Sequence, residues 1–546
     1  MAGVDALDRL IDRLDARQSF KLEAGAGSGK TYSLVYALQH LLSTQRRELE
    51  QSGCSIACIT YTNAAKNEIR RRVAEDPLIY VSTIHEFLWS VVKPYQTQLR
   101  RALIDHNRAA KAPVEELENA LTPDVEIVYD ERRRDYKSGA ISHDDVVKLS
   151  HRLISAHPRL ARIVSDQYPY IFVDEYQDTF PETVDMLLDS LLAGREGKLV
   201  VGLFGDSMQK IFRDGVGSVA TDRLETITKH ENFRSSHAVV ALLNKIRPEL
   251  PQIVAGTNRE GEAWLFADAR FSTPDERLAS AQQMLTNRGW QMDDTKHLYL
   301  THRLIAGTLG YPELDKLYSK RGQSGRDDLH EGREPYAQLL QTIDAVRRAY
   351  EANDQAALLE HLSDNDVTIT RHRQKVEITR GLQKLSELCA SGSIGEVVDS
   401  AHDRRIVLKP SRVRELESLV GRSELDEREQ WHATFYEALR ALPYQQWASF
   451  AQFREDQTPY FTQHSVKGAE FDDVLVAIDD TAWNQFNMGK MIAGTDKPER
   501  TERSRNMFYV CCSRARNRLA VIFLDDLPEE AVPIVKDWFG ADHVVL

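Results

Sequence analysis

The chain has 546 residues, more than one hydrophobic core sustains, and at 42% hydrophobic and 28% charged residues it has the composition of an ordinary globular protein. No stretch approaches the ~20 uninterrupted apolar residues of a membrane span, and "MAGVDALDRLIDRLDARQ" lacks the apolar core of a secretion signal, so a cytoplasmic location without membrane contact is expected. A formal net charge of −13 excludes attraction of the whole chain to nucleic acid; any such contact has to come from a local groove.

Taken in chain order, six short apolar runs end in polar or glycine-rich residues: "FKLEAG", "SIACITYT", "YIFVDE", "LVVGLFGD", "DVLVAID" and "RLAVIFLD". Such runs suit buried parallel strands, with helical patterns between them, and predict an α/β fold. Four runs precede residue 210 and two follow residue 470, which predicts two α/β lobes. Ligands of such sheets sit at the carboxyl ends of the strands. Residues 88–160 read as mostly helical and charged, with a short β excursion at "DVEIVYDERRRDY". Residues 310–455 carry a helical stripe at Tyr336, Leu339, Leu340, Ile343, Val346 and Tyr350, read as core packing. Five cysteines give no disulfide framework; Cys54 and Cys58 flank "CSIACIT", where buried packing is the plainer reading and metal binding the alternative.

"AGAGSGKT" follows the strand-like "FKLE" and precedes the helical "YSLVYALQHLL". Small residues at Ala24, Gly25, Ala26, Gly27, Ser28 and Gly29 let backbone N–H groups turn toward phosphate oxygens in front of a helix N-terminus. A plain glycine-rich turn is the alternative for the stretch alone, and the Gly-Lys-Thr ending weighs against it. Lys30 would reach the β- and γ-phosphates, and Thr31 would ligate Mg²⁺. In "YIFVDEYQDT" an apolar strand runs into Asp174, expected to hold Mg²⁺, and Glu175, expected to orient or deprotonate the attacking water. A second carboxylate there suits ATP hydrolysis by a motor better than a GTPase switch.

From here the chain resembles the UvrD/Rep/PcrA-like superfamily 1A DNA helicases, through a series of motifs in the family's order. "TYTNAAKNEI" and "STIHEF" resemble its first DNA-contacting motifs, "VDEYQDT" its Mg²⁺ motif, and "GDSMQKIF" the motif whose glutamine, Gln209, senses the γ-phosphate. "NFRSS" resembles the motif donating one arginine finger, Arg234. "TQHSVKGAEF" and "MFYVCCSRAR" resemble the last two, the latter supplying a second finger, Arg514. Fingers of this kind are worth ~10³–10⁵ in rate.

The resemblance implies two RecA-like parallel-sheet lobes, 1A at 1–87 and 161–225 and 2A at 226–309 and 456–546. Mostly helical insertions follow from it at 88–160 (1B) and at 310–455, in the position of a reduced or divergent 2B. It implies ATP and Mg²⁺ as cofactors, and 3′→5′ movement along single-stranded DNA with unwinding of partly duplex DNA, in repair or antiphage defence. It places Thr60, Tyr61, Thr62, Asn63, Thr83, His85, Phe212 and His464 on the DNA track, Tyr61 and Phe212 as base-stacking aromatics whose alternative is core packing. Gln177 would couple nucleotide to DNA, Phe233 would stack on adenine, Gln18 would read the adenine edge, and Gly468 and Glu470 would border the nucleotide, Glu470 near the ribose. "EIRRRV" and "SRARNR" read equally as positive potential for DNA and as solvated helix faces.

The chain also departs from the family pattern. Tyr32 stands where an arginine commonly packs on adenine, Gln18 lies unusually close to the phosphate loop, and "RDGVGS" lacks the aromatic expected after "GDSMQKIF". The 310–455 region carries no residues recognisable as that family's 2B, and "RGQSGRDDLHEGRE" reads as an exposed loop. No nuclease motif follows the last helicase motif. The compact size, with "ISHDDVV" and "LTHRLIA", resembles the helicase subunits of antiphage systems such as Gabija, which work beside a separate nuclease. The rival reading is an ATPase, responsive to DNA and nucleotide, that regulates a partner nuclease with little unwinding of its own.

Overall fold

The computed structural model describes residues 5–130, 134–210, 214–365, 367–422, 424–455, 460–462, 468–481 and 485–546. The chain divides into two compact units, one of Met1–Arg277, Lys467–Val474 and Asn484–Leu546, the other of Leu278–Val466 and Leu475–Trp483. No helix among the described residues is long and apolar enough to cross a membrane.

The first unit is built on strands β1 (Phe20–Ala24), β2 (Ile56–Thr60), β3 (Ile79–Thr83), β4 (Tyr170–Asp174), β5 (Val200–Gly205) and β6 (Glu225–Lys229), in the order β3-β2-β4-β5-β1-β6. Every pairing in this sheet is parallel. Period-two alternation explains why the central strands are apolar on both sides. Ile56, Cys58, Phe172 and Phe204 join one buried cluster, with Leu34, Leu38 and Leu41 of the helix Lys30–Ser52. Ala57, Ile59, Ile171, Val173 and Leu203 join a second, with Phe87 and Leu149. Cys58 is thus a packing residue. The β excursion forms as Val128–Tyr129 paired with Ala140–Ile141, leading into the helix His143–Ala156. The unit also holds β7 (Glu262–Phe266), parallel to both β8 (Ala515–Phe523) and β9 (Val544–Val545).

The second unit is mainly helical. Within the helix Pro335–Glu351, Tyr336, Leu339, Leu340, Ile343 and Val346 are buried, as the stripe predicts, and Tyr350 is half-buried. "RGQSGRDDLHEGRE" is not an exposed loop: Gly322–His330 is helical, with Leu329 buried, His330 against Phe450 at 5.2 Å, and Arg326 paired to Asp315 at 2.9 Å. One apolar residue and two internal partners seat a segment whose composition is polar. Glu334, in the same stretch, is buried and accepts hydrogen bonds from the phenols of Tyr318 (3.1 Å) and Tyr436 (2.9 Å).

Candidate nucleotide site

The register of the first sheet aligns its carboxyl ends. Glu23 faces Gly205, Asp174 faces Phe204, and Thr60 faces Thr83, so residues far apart in sequence emerge along one edge. After β1 the chain turns through Gly27 (φ +75°) and Gly29 (φ +78°), both left-handed. At Gly27 a Cβ would come within 2.7 Å of Asn232 Oδ1, so only glycine leaves this cradle open. The Ser28 hydroxyl donates to Gly25 O at 2.7 Å, closing the loop on itself. The helix starting at Lys30 has a left-handed N-cap with no side-chain hydrogen bond, and its positive end faces the loop. A polyphosphate fits this cradle, and the Thr31 hydroxyl and Asp174 carboxylate are the hard oxygen donors that Mg²⁺ takes.

One chain of contacts links four of the predicted catalytic residues, Lys30, Glu175, Gln209 and Arg514. Lys30 Nζ lies 3.8 Å from Glu175 Oε2, which also accepts from Gln177 Nε2 at 2.6 Å. Gln177 Oε1 accepts the Asp206 N–H at 3.1 Å, and Asp206 Oδ2 accepts from Gln209 Nε2 at 2.7 Å. Arg514 Nη2 approaches Gln209 Oε1 at 3.4 Å, while its other nitrogens donate to Val510 O (3.0 Å) and Ala469 O (3.2 Å). Burial lowers the Arg514 pKa to about 10, so the guanidinium is charged at neutral pH. Asp174 is buried at the end of β4, where its Oδ1 accepts the Glu175 N–H at 3.1 Å. Glu175 itself takes a left-handed conformation, φ +51° and ψ 47°, unusual for a residue with a Cβ.

"NFRSS" is tied directly to the phosphate loop. Asn232 Nδ2 donates to Ala26 O at 3.0 Å, and the Phe233 N–H donates to Gly27 O at 2.9 Å. The Phe233 ring is 57% exposed, with Lys229 Nζ 5.8 Å from its centroid. Arg234 is ion-paired with Glu470, which also lies 3.8 Å from Arg516. Gly468 is left-handed (φ +80°) and exposed. Tyr32, 56% exposed, stacks on Tyr36 with centroids 6.2 Å apart. Gln18 is not joined to these contacts; its Oε1 accepts from Arg13.

The predicted DNA residues divide. Thr62 caps the helix Asn63–Arg72, accepting the Ala65 N–H at 3.2 Å, and Asn63 is exposed beside it. Thr83 forms a capping box with Glu86, whose carboxylate also holds Lys66 at 2.7 Å, joining the two segments. Thr60 is buried and donates to Thr62 O at 3.1 Å, and Tyr61 is half-buried. His85 packs 4.4 Å from His143 and 6.3 Å from Phe180; burial, with His143 adding to it, lowers its pKa to about 4 and holds it neutral. Phe212 and His464 lie outside the described residues. The basic runs are paired: Arg71 and Arg72 with Glu68, Arg516 with Asp472, and Arg518 with Asp473.

Sequence reasoning missed Glu23, Tyr176, Asp206, Arg247 and Tyr509. Glu23 accepts from the Tyr176 phenol, from the Ser207 N–H (2.9 Å) and hydroxyl (2.7 Å), and from Arg247 (2.9 Å). Burial works against its charge, but the Tyr176 and Ser207 hydrogen bonds and the Arg247 charge outweigh it and hold the carboxyl below its usual range. The available signal was a carboxylate near the carboxyl end of β1, directly before the glycine-rich loop.

The UvrD/REP helicase N-terminal domain matches residues 12–134 and 95–215, and the UvrD-like helicase C-terminal domain matches residues 312–526. The chain belongs to the UvrD/REP helicase family and is an enzyme of the helicase class. It is similar to the Gabija protein GajB of Bacillus cereus (strain HuB5-5), 23% identical over an alignment of 671 residues that covers 98% of this chain and 97% of that protein. It is also similar to the ATP-dependent DNA helicase PcrA of Leuconostoc citreum, 25% identical over 51% of this chain and 44% of that protein. The PcrA of Staphylococcus aureus (strain Mu50 / ATCC 700699) gives 25% identity over 51% of this chain and 45% of its own length. The chain thus spans less than half of either PcrA.

Proposed function

We propose that this protein is an ATP-driven translocase that moves 3′→5′ along single-stranded DNA, opens partly duplex DNA, and serves antiphage defence beside a separate nuclease. The observation that carries the reading is the unbroken line of contacts from Lys30 through Glu175, Gln177, Asp206 and Gln209 to Arg514. Family membership supports ATP and DNA, and similarity to GajB over nearly the whole chain supports defence. The lobe and insertion boundaries predicted from sequence form part of the reading.

Bound Mg²⁺–ATP supplies the phosphoanhydride bond whose cleavage drives the cycle, with Thr31 and Asp174 holding the cation. Lys30 Nζ orients the terminal phosphates, and a Glu175 carboxylate oxygen takes the proton of the attacking water. Gln209 senses the terminal phosphate, and Arg234 and Arg514 stabilise charge developing on it. Gln177, bonded to both Glu175 and Asp206, connects the water-activating group to the sensor loop. Phe233 offers its exposed face to the base, Glu470 borders the ribose, and Tyr61, Thr62, Asn63, Thr83 and His85 line the strand path, with the buried Thr60 behind them holding Thr62.

The test is steady-state ATP hydrolysis with and without single-stranded DNA across salt, beside Glu175→Ala. The expected result is strong DNA stimulation that weakens as salt rises, because phosphate contacts release counterions, and no turnover in the variant. Hydrolysis indifferent to DNA would overturn the motor and favour an ATPase that regulates its partner nuclease.

A further inference from the structure

Among the described residues, the most enclosed ionic cluster lies beside the phosphate loop. Arg247 caps the C-terminus of the helix His237–Ile246, and its side chain is 4% exposed. One guanidinium nitrogen pairs with Asp206, and another donates to Glu23 Oε1 at 2.9 Å. The same group lies over the Tyr509 ring, 5.6 Å from its centroid. Asp206 is wholly buried and works as a hub. Its Oδ1 receives Arg247 and the Met208 N–H (3.1 Å), its Oδ2 receives Gln209, and its N–H reaches Gln177. Glu23 immediately precedes the loop that starts at Ala24, and the Tyr509 hydroxyl accepts the Ala26 N–H of that loop at 3.0 Å. Tyr509 stands five residues before Arg514.

We propose that Arg247 is a positioning residue for nucleotide hydrolysis, one fork that fixes the γ-phosphate sensor, the water-activating pair and the phosphate loop in a shared geometry. The proposal rests on the hydrolytic reading of this site. Arg247 acts through Asp206 on Gln209, through Asp206 and Gln177 on Glu175, and through Glu23 on the start of the loop. Its ring contact steadies Tyr509, which ties the segment carrying Arg514 to Ala26. A planar guanidinium donates through separate nitrogens to two carboxylates while its face lies against a ring; an ammonium has one nitrogen and no face, so it does not hold all three in that geometry. Buried ion clusters are often replaceable by apolar residues without loss of stability. A purely structural cluster would therefore tolerate apolar replacement with its turnover intact, and a positioning cluster would not.

The experiment compares full-length wild type, Arg247→Lys, Arg247→Met and the Glu23→Leu/Arg247→Met double variant. It measures kcat and KM for ATP at saturating single-stranded DNA, and thermal melting in parallel. The expected result is a 10- to 100-fold fall in kcat with KM within threefold of wild type, in every variant that melts cooperatively. Arg247→Lys should keep the melting temperature closest to wild type yet recover less than a tenth of kcat; should Arg247→Met not fold, this variant and the double variant carry the comparison. Wild-type kcat in a folded double variant, or full recovery by lysine, would overturn the proposal, as would a rise in KM at unchanged kcat. Absence of hydrolysis by wild type would instead sink the functional reading, and the proposal with it.

Discussion

In the first unit Arg247 holds Glu23 and Asp206; in the second, Arg440 and Lys409 together hold Asp399 and Glu417. The two clusters share a design, basic groups bridging two carboxylates with a tyrosine alongside, but differ in water. The first is nearly dry, its side chains 0–10% exposed, whereas Asp399 in the second is 44% exposed and Arg440 24%. The dry cluster sits among strand ends and a glycine loop, so its bonds bear on where the groups proposed for hydrolysis point. The wetter one joins the helices Ile394–Asp403, Ser411–Glu417 and Glu427–Ala441, and its bonds only hold helices together. The same chemistry thus serves geometry where the backbone is irregular and adhesion where it is regular.

The largest expected effect separates the units outright. Lys30→Ala and Glu175→Ala should each lower ATP turnover by about 10³-fold or more while thermal melting stays cooperative; normal hydrolysis by either purified variant would remove the site from the first unit. A second contrast uses pH. Burial holds both His85, in the first unit, and His330, in the second, neutral with pKa values of about 4, His330 with help from Arg326 and Arg454. The unfolded chain takes up these protons near pH 6.5, so stability should fall as pH drops from about 6.5 toward 4, by roughly 1–3 kcal/mol for each group. His85→Gln should flatten that loss for the first unit alone and His330→Gln for the second, as urea melts at pH 7 and pH 5 would show.

Third, Arg440→Met should cost about 1–2 kcal/mol of stability, since its partners keep Lys409 and some water, and leave kcat unchanged. A fall in kcat would break the division between geometry and adhesion. The smallest effect belongs to the surface: Arg71→Ala with Arg72→Ala should change stability by no more than about 0.5 kcal/mol. The salt dependence of DNA-stimulated hydrolysis should shift by the equivalent of about one phosphate contact or less, because Glu68 pairs with both arginines and offsets one of their two charges.

The six apolar runs became strands because strands buried on both faces leave a continuous local signature. Strand Glu225–Lys229, "ETITK", did not stand out, for an edge strand needs no such run. The phosphate loop and the Asp174–Glu175 pair were readable because their spacing is local. Arg247 was invisible for the opposite reason: a basic residue directly after "HAVVALLNKI" looks like a solvated helix terminus, and its partners lie 41 and 224 positions away. The pairing of Glu68 with Arg71 and Arg72 was available from three- and four-residue spacing alone, and it supports the solvated-face reading of that basic run.

The left-handed backbone at Glu175 bears on how such a protein ages under mutation. A residue with a side chain there carries about 1 kcal/mol or more of strain that glycine would shed. Exchange to glycine relieves that strain but gives up the Gln177 hydrogen bond, the Lys30 contact and some order of the unfolded chain, while removing the carboxylate proposed to activate water. The gain and the losses are of similar size, so a glycine form should fold about as well as its parent, and selection for turnover rather than for stability is what would retain a carboxylate at that position.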